Sequence, residues 1–181
     1  MIPANLLHGE KVRLTALTPD DLPTIARWQQ DGQFLRLFDA LPAYPKSEAA
    51  LSEWLATSQK ATDAFLFAVH SRGEDNLLGY IELDEILWAH GVCGMSYCIG
   101  DPANRGQGYG YEATRLALAF AFDELNLHRV TLTAFDYNQA SIALAEKLGF
   151  RREGVFREFL RRDGQRHDMI LFGLLRHEWE T

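Results

Sequence analysis

Three glycines stand at alternate positions in the run Arg105-Gly106-Gln107-Gly108-Tyr109-Gly110. Removing every second side chain lets backbone N–H groups approach a ligand closely. Behind the run, Tyr109, Ala113, Leu116, Ala117 and Phe120 recur at helical spacing, so the glycines feed the start of a helix. The unpaired N–H groups of a helix N-terminus and the positive end of its dipole converge on such a turn and attract an anion. Arg105 adds a cation at the entrance. The chemistry this stretch offers is the binding of a phosphate or pyrophosphate, although a tight strand-to-helix turn with exposed glycines would leave the same pattern. Two familiar phosphate loops do not fit. No Lys-Ser or Lys-Thr pair follows the glycines, and Gly110 comes two residues after Gly108 instead of three.

Other residues with chemical potential are scattered. Glu82 and Asp84 lie two apart in a strand-like run, so both side chains face one way. That pair could collect a proton through water or hold a cation, and a solvated strand end is the equal alternative. Cys98 lacks an evident histidine partner and reads as packing rather than as a nucleophile. His90 and His128 fall near turns and read as surface residues. Arg151, Arg152, Arg157, Arg161 and Arg162 read as a solvated rim, with a phosphate contact or a partner subunit as alternatives.

The elements that must position these groups can be read in order. Lys11–Leu17 alternates as a half-buried strand, and Thr18-Pro19-Asp20-Asp21 opens a helix running to about Gln29. Phe34–Pro42 reads as irregular chain rich in large apolar groups, either loop packing or a pocket wall. Ser47 starts a helix to about Ser58. Ala64–His70, Leu77–Ile86 and Cys93–Ile99 are three strands in succession. The helix behind the glycines ends between Glu124 and Leu127, and Arg129–Phe135 is the next strand. Asn138 caps a short helix that stops at Leu148-Gly149-Phe150. Two strands, about Arg152–Leu160 and His167–Leu174, close the chain around Asp163-Gly164. The order β-α-α-β-β-β-α-β-α-β-β predicts an α/β (α+β) fold, a mixed and mostly antiparallel sheet of about seven strands flanked by helices.

Composition narrows the class. A chain of 181 residues, 47% hydrophobic and 24% charged, is expected to form a single domain over residues 1–181. No apolar run approaches the ~20 residues of a membrane span, and the start has no signal-peptide pattern. Two cysteines, Cys93 and Cys98, show no metal-ligand spacing, and a reducing cytoplasm is the expected setting. The net charge of −7 argues against a nucleic-acid binder held by a broad basic surface.

Arg105, Gly108 and Gly110 match the Arg/Gln-x-x-Gly-x-Gly/Ala motif, so the chain resembles the GNAT family of N-acetyltransferases. Asn138-Gln139-Ala140-Ser141 with Glu146–Phe150 and Glu153-Gly154 resembles that family's second conserved block. The ending from Gly164 through His167-Asp168 to Leu175, Glu178 and Trp179 resembles the ribosomal-protein N-terminal acetyltransferases (RimJ/RimL type). Gly79–Ile86 is similar to a strand of bacterial spermidine acetyltransferases. The resemblance implies acetyl-coenzyme A as co-substrate, no metal, and a homodimer. It places the pyrophosphate on Arg105, Gly106, Gln107, Gly108, Tyr109 and Gly110, and the pantetheine arm along Tyr97-Cys98-Ile99. Asn138 would contact the cofactor, cap its helix, or do both.

Proton handling departs from the family pattern. The tyrosine that many relatives carry seven residues after the asparagine is Ala145 here, and the branch's strand glutamate, three residues before Tyr97, is Gly94. Ser141 matches the serine attributed to the branch as acid, although a serine bonding the backbone of Asn138 is the alternative. Tyr137 is a weaker candidate acid. Glu82 is the candidate base, with Asp84 and Glu158 behind it. His167-Asp168 would make a structural contact near the site. The acceptor is expected to be a protein N-terminal amine or a small amine such as a polyamine. A non-catalytic sensor of acetyl-coenzyme A is the rival from another class.

Overall fold

The computed structural model describes residues 5–179. Seven strands form one sheet: β1 (Val12–Ala16), β2 (Phe65–Ser71), β3 (Leu77–Leu87), β4 (Val92–Ile99), β5 (Arg129–Phe135), β6 (Arg151–Arg162) and β7 (Gln165–Leu175). Their order is β1-β2-β3-β4-β5-β7-β6. Every neighbouring pair is antiparallel except β4 and β5, which a helix joins and which must therefore run parallel. The helices are α1 (Leu22–Trp28), α2 (Gly32–Phe38), α3 (Glu48–Ser58), α4 (Tyr109–Ala119) and α5 (Gln139–Lys147). The mixed, mostly antiparallel architecture is the one the sequence pattern predicts.

One element differs. The Phe34–Pro42 stretch, expected to be irregular, contains all but the first two residues of α2. Asp31 starts this helix by accepting a hydrogen bond from the Gln33 N–H at 2.8 Å. Phe34 and Phe38, four residues apart, stack at 5.8 Å between ring centroids and 4° between planes. Seven residues give too few turns for an apolar stripe to stand out from a run of Phe and Leu.

Two cores fill the two faces of the sheet. Ile81, Leu83, Met95, Leu118, Phe122 and Phe172 pack between the sheet and the α4–α5 layer. Leu17, Ile25, Trp28, Phe34, Leu51, Tyr80 and Cys98 pack beneath α1, α2 and α3. Successive residues of β4 therefore serve opposite faces, Met95 the first and Cys98 the second.

The feature that positions a site is an interruption. β4 and β5 pair only at Val92–Arg129, Cys93–Val130 and Gly94–Thr131. Beyond Gly94, β4 stays with β3 as far as Ile99, whereas β5 stays with β7 as far as Phe135. The sheet divides there like an opened seam.

Candidate active site

A cavity of about 470 Å³ occupies the opening. Its walls are Met95–Ile99 of β4, Leu132–Phe135 of β5, the glycine loop, the first turns of α5, and Phe34, Leu37 and Phe38 of α2. The Cys98 carbonyl lies against Gly79 on the β3 side. By strand alternation, Met95, Tyr97 and Ile99 turn their backbone N–H and C=O groups toward the opening. They have lost the partner strand that would pair them, so a bound molecule can take its place along Met95 and Tyr97, while Ile99 O is taken by Arg105.

The mouth of the cavity is the glycine loop. Gly106 and Gly108 hold left-handed φ angles of 74° and 87°, and Gly108 is the N-cap of α4. A β-carbon at Gly108 would be strained and would stand 3.2 Å from Lys11 Nζ. The N–H groups of the first α4 turn open toward this loop, an anion cradle made of backbone. Arg105 braces it from behind: Nε donates to Ile99 O at 3.2 Å and Nη2 to Gly100 O at 2.9 Å. Its charge is thus tied to the end of β4 rather than held free at the entrance. Two cations that the spacing did not single out stand nearby. Lys11 Nζ donates to Gln107 O at 3.0 Å. Lys147 lines the cavity and lies 4.5 Å from the Tyr111 ring centroid.

Of the residues expected to hold the cofactor, Tyr97, Cys98, Ile99, Arg105, Gly106, Gly108, Gly110 and Asn138 line the cavity. Gln107 and Tyr109 do not. The Gln107 carboxamide donates to Ala103 O at 2.7 Å, and Tyr109 packs on the α4-side core. Asn138 caps α5 by accepting the Ser141 N–H at 3.2 Å, and its Nδ2 donates to Leu37 O of α2, also at 3.2 Å.

At the waist of the cavity, the Tyr97 hydroxyl and Ser141 Oγ lie 2.8 Å apart. The serine thus bonds across to β4 instead of to the Asn138 backbone. Burial pushes the Tyr97 phenol above its ordinary range, and the Ser141 hydrogen bond only partly offsets this. A phenol so placed stays protonated at neutral pH. Sequence reasoning gave Tyr97 a backbone role, and its hydroxyl partner became visible only when β4 and α5 were brought together. Ala145 is fully buried in the core and is not among the residues that line the cavity.

The other proton-carrying candidates sort themselves by position. The Tyr137 hydroxyl donates to Arg36 O at 2.7 Å and fastens α2. The His167 ring nitrogen contacts Asp136 at 2.9 Å, the structural role expected of it. Glu158 is exposed on a bulge of β6, away from the cavity lining. Arg162 is no solvated rim residue, since it donates to Asp39 O and Leu41 O at 2.9 Å each and clasps the end of α2. Cys98 lines the cavity, but burial pushes its thiol up to about 12, so it holds its proton and is inert as a nucleophile. Glu82 is outside the lining, yet it stands directly across β3–β4 from Ser96, which lines the cavity. Burial and then Asp84 raise the Glu82 carboxyl above its usual range.

The family model of the acetyltransferase (GNAT) domain matches residues 11–151. The chain belongs to the GNAT acetyltransferase family. It is 33% identical over 172 residues to the uncharacterized, SPbeta prophage-derived N-acetyltransferase YokL of Bacillus subtilis, across 95% of this chain and 94% of the relative. The alanine N-acetyltransferase of ribosomal protein uS5 from Escherichia coli is 26% identical over 142 residues, covering 78% of this chain and 73% of that protein. Among solved structures, the spermidine N-acetyltransferase of Vibrio cholerae in complex with CoA and spermine superposes with a TM-score of 0.85. That pair shares 25% identity over 94% of this chain and 98% of the other. The chain is thus an N-acetyltransferase with the GNAT fold, and the CoA of the Vibrio complex supports acetyl-coenzyme A as its co-substrate.

The residues present fit that co-substrate. The glycine loop offers unpaired N–H groups for phosphates, and β4 offers an open strand edge for an amide-bearing arm. What the cofactor brings when bound is an acetyl thioester, an acyl group with a good leaving group. The chain's own residues must orient it, polarise its carbonyl and supply protons.

Proposed function

We propose that this GNAT enzyme transfers acetyl from acetyl-coenzyme A directly to the α-amine of a protein N-terminus, both substrates being bound at once. The Tyr97–Ser141 hydroxyl pair carries the reading, because it lines the cavity and can give a proton to a departing sulfur. Ser141 passes that proton on and Tyr97 orients and replenishes it. The Met95 and Tyr97 N–H groups face the opening and can donate to the acyl oxygen. The proton of the incoming amine leaves toward the Glu82–Asp84 pair on β3. An acid built on Ser141 and not on a tyrosine of α5 favours a protein acceptor, as does the similarity to the uS5 alanine acetyltransferase. The phosphates lie on the backbone of residues 105–110, with Asn138 tying the start of α5 to the end of α2. The same reading carries a cytoplasmic setting and a homodimer.

A polyamine acceptor is the second reading. Two carboxylates on the face that α1–α3 cover would suit a polycation, and the Vibrio spermidine enzyme supplies the precedent. Free-thiol release from acetyl-coenzyme A separates the readings, using short peptides, polyamines, aminoglycosides and amino acids as acceptors. Release with peptides alone is the expected result. Release with a small amine alone would transfer the proposal to the second reading. Cofactor binding without release from any of them would favour a sensor.

A further inference from the structure

Gly94 marks the vertex of the opening, since β4 and β5 make their last pair there. A side chain at this position would have to displace one on β3. A β-carbon at Gly94 would stand 2.4 Å from Asp84 Oδ1, the carboxylate of its cross-strand partner on β3. The Asp84 side chain therefore fills the space above the vertex that a residue of β4 would otherwise occupy. From Gly94 to Ile99 at the mouth is five strand steps, about 17 Å. An arm laid along β4 with its phosphates on the glycine loop carries its acyl end toward this vertex.

Side-chain alternation adds a second constraint. Asp84 shares the face of Tyr80 and Glu82, under α1–α3, whereas Tyr97 turns to the other face and meets α5. The carboxylate and the hydroxyl pair thus stand on opposite faces of the divided sheet, which keeps deprotonation of the nucleophile and protonation of the leaving group on separate groups. We propose that Asp84, not Glu82, receives the proton of the attacking amine, an inference that rests on the acetyltransferase reading above.

The titratable groups that sense Asp84 are Glu82 and Glu85 on its own strand, Asp63 ahead of β2, and the buried Cys93 thiol on β4. None is a cation, and among the described residues no side chain donates a hydrogen bond to Asp84. Burial first, then Glu85 and Asp63, raise its carboxyl above the ordinary range, which makes it a better proton acceptor than a solvated aspartate. In the step, Asp84 takes one proton from the ammonium. The freed nitrogen lone pair forms the C–N bond as the C–S bond breaks. A second nitrogen proton leaves to water, the sulfur gains one from the hydroxyl pair, and water restores the pair. Asp84 then gives its proton to solvent, so one proton is released per turnover.

Asp84→Asn, Glu82→Gln, Asp84→Ala and the double variant Asp84→Ala/Gly94→Glu test this in the full chain. Thiol release is followed across pH with an alanine-initiated peptide and with spermidine, and coenzyme A affinity is measured by calorimetry. Asp84→Asn should lower kcat/KM for the amine about 100-fold and abolish the acidic limb of the profile, with coenzyme A affinity unchanged. Glu82→Gln should cost clearly less than Asp84→Asn and should keep the acidic limb of the profile. The double variant returns a carboxylate from the β4 side and should recover about ten-fold over Asp84→Ala. Wild-type turnover with a normal rate and profile in Asp84→Asn overturns the role of Asp84 alone. The same follows if Glu82→Gln shows the loss. No release by wild type with either probe overturns the acetyltransferase reading and this inference together.

Discussion

The two ends of the cavity are built from different materials. At the mouth, coenzyme A would meet backbone: left-handed Gly106 and Gly108, the first N–H groups of α4, and the open edge of β4. Further in, the groups proposed to move protons are side chains: the Tyr97 and Ser141 hydroxyls that meet between β4 and α5 at the waist, and Asp84 of β3 at the vertex. A backbone cradle is made by local conformation and tolerates change in the side chains around it. A side-chain constellation depends on register and packing, so single substitutions can move it between acceptors without touching the cofactor. The difference predicts that mouth variants lose binding and vertex variants lose rate.

Gly108→Trp should have the largest effect. The left-handed φ of 87° strains any other residue by about 1–2 kcal/mol, and the indole would fill the cradle. Coenzyme A binding should weaken by at least about 100-fold in calorimetry. Binding at wild-type strength would break the contrast at its firmer end. Next comes the hydroxyl pair. Tyr97→Phe and Ser141→Ala should each lower kcat by about 10–100-fold while leaving coenzyme A affinity within about two-fold. Because they share one proton path, the double variant should be little worse than the poorer single one. Burial raises the phenol, and an acid works only while protonated. Rate should therefore be lost only as pH climbs past 10, the ordinary value for tyrosine.

A smaller effect is expected at the clasp between the two ends. Tyr137→Phe removes the bond to Arg36 O that fastens α2, the apolar wall of the cavity. KM for the acceptor should rise by about three- to ten-fold, with coenzyme A affinity unchanged. Smallest of all is Cys98→Ala. With its thiol pushed up to about 12, the residue packs and does not react. Thiol-release rates should stay within about two-fold of wild type.

The mouth was legible in the sequence because its chemistry is backbone chemistry, and alternate glycines before a helical period report it directly. Strand alternation and capping residues gave the sheet and four of the helices for the same local reason. The helix α2 was hidden by its brevity. The partnership of Tyr97 with Ser141, 44 residues apart, follows from how α5 lies over β4, which no spacing records. Gly94 looked like a missing carboxylate in the sequence. In three dimensions it is the room that Asp84 needs, a relation set by β3–β4 register. Its place before the glycines puts Arg105 at the entrance as a cation, but its reach back to Ile99 and Gly100 depends on the turn between them.

Initial-rate kinetics test the central claim most directly, with acetyl-coenzyme A and an accepted amine varied together. Direct transfer in a cavity that holds both substrates predicts intersecting double-reciprocal lines and no acetylated enzyme by mass spectrometry after incubation with acetyl-coenzyme A alone. Parallel lines with an acetyl group recovered on the protein would contradict it, and would return Cys98 to the mechanism.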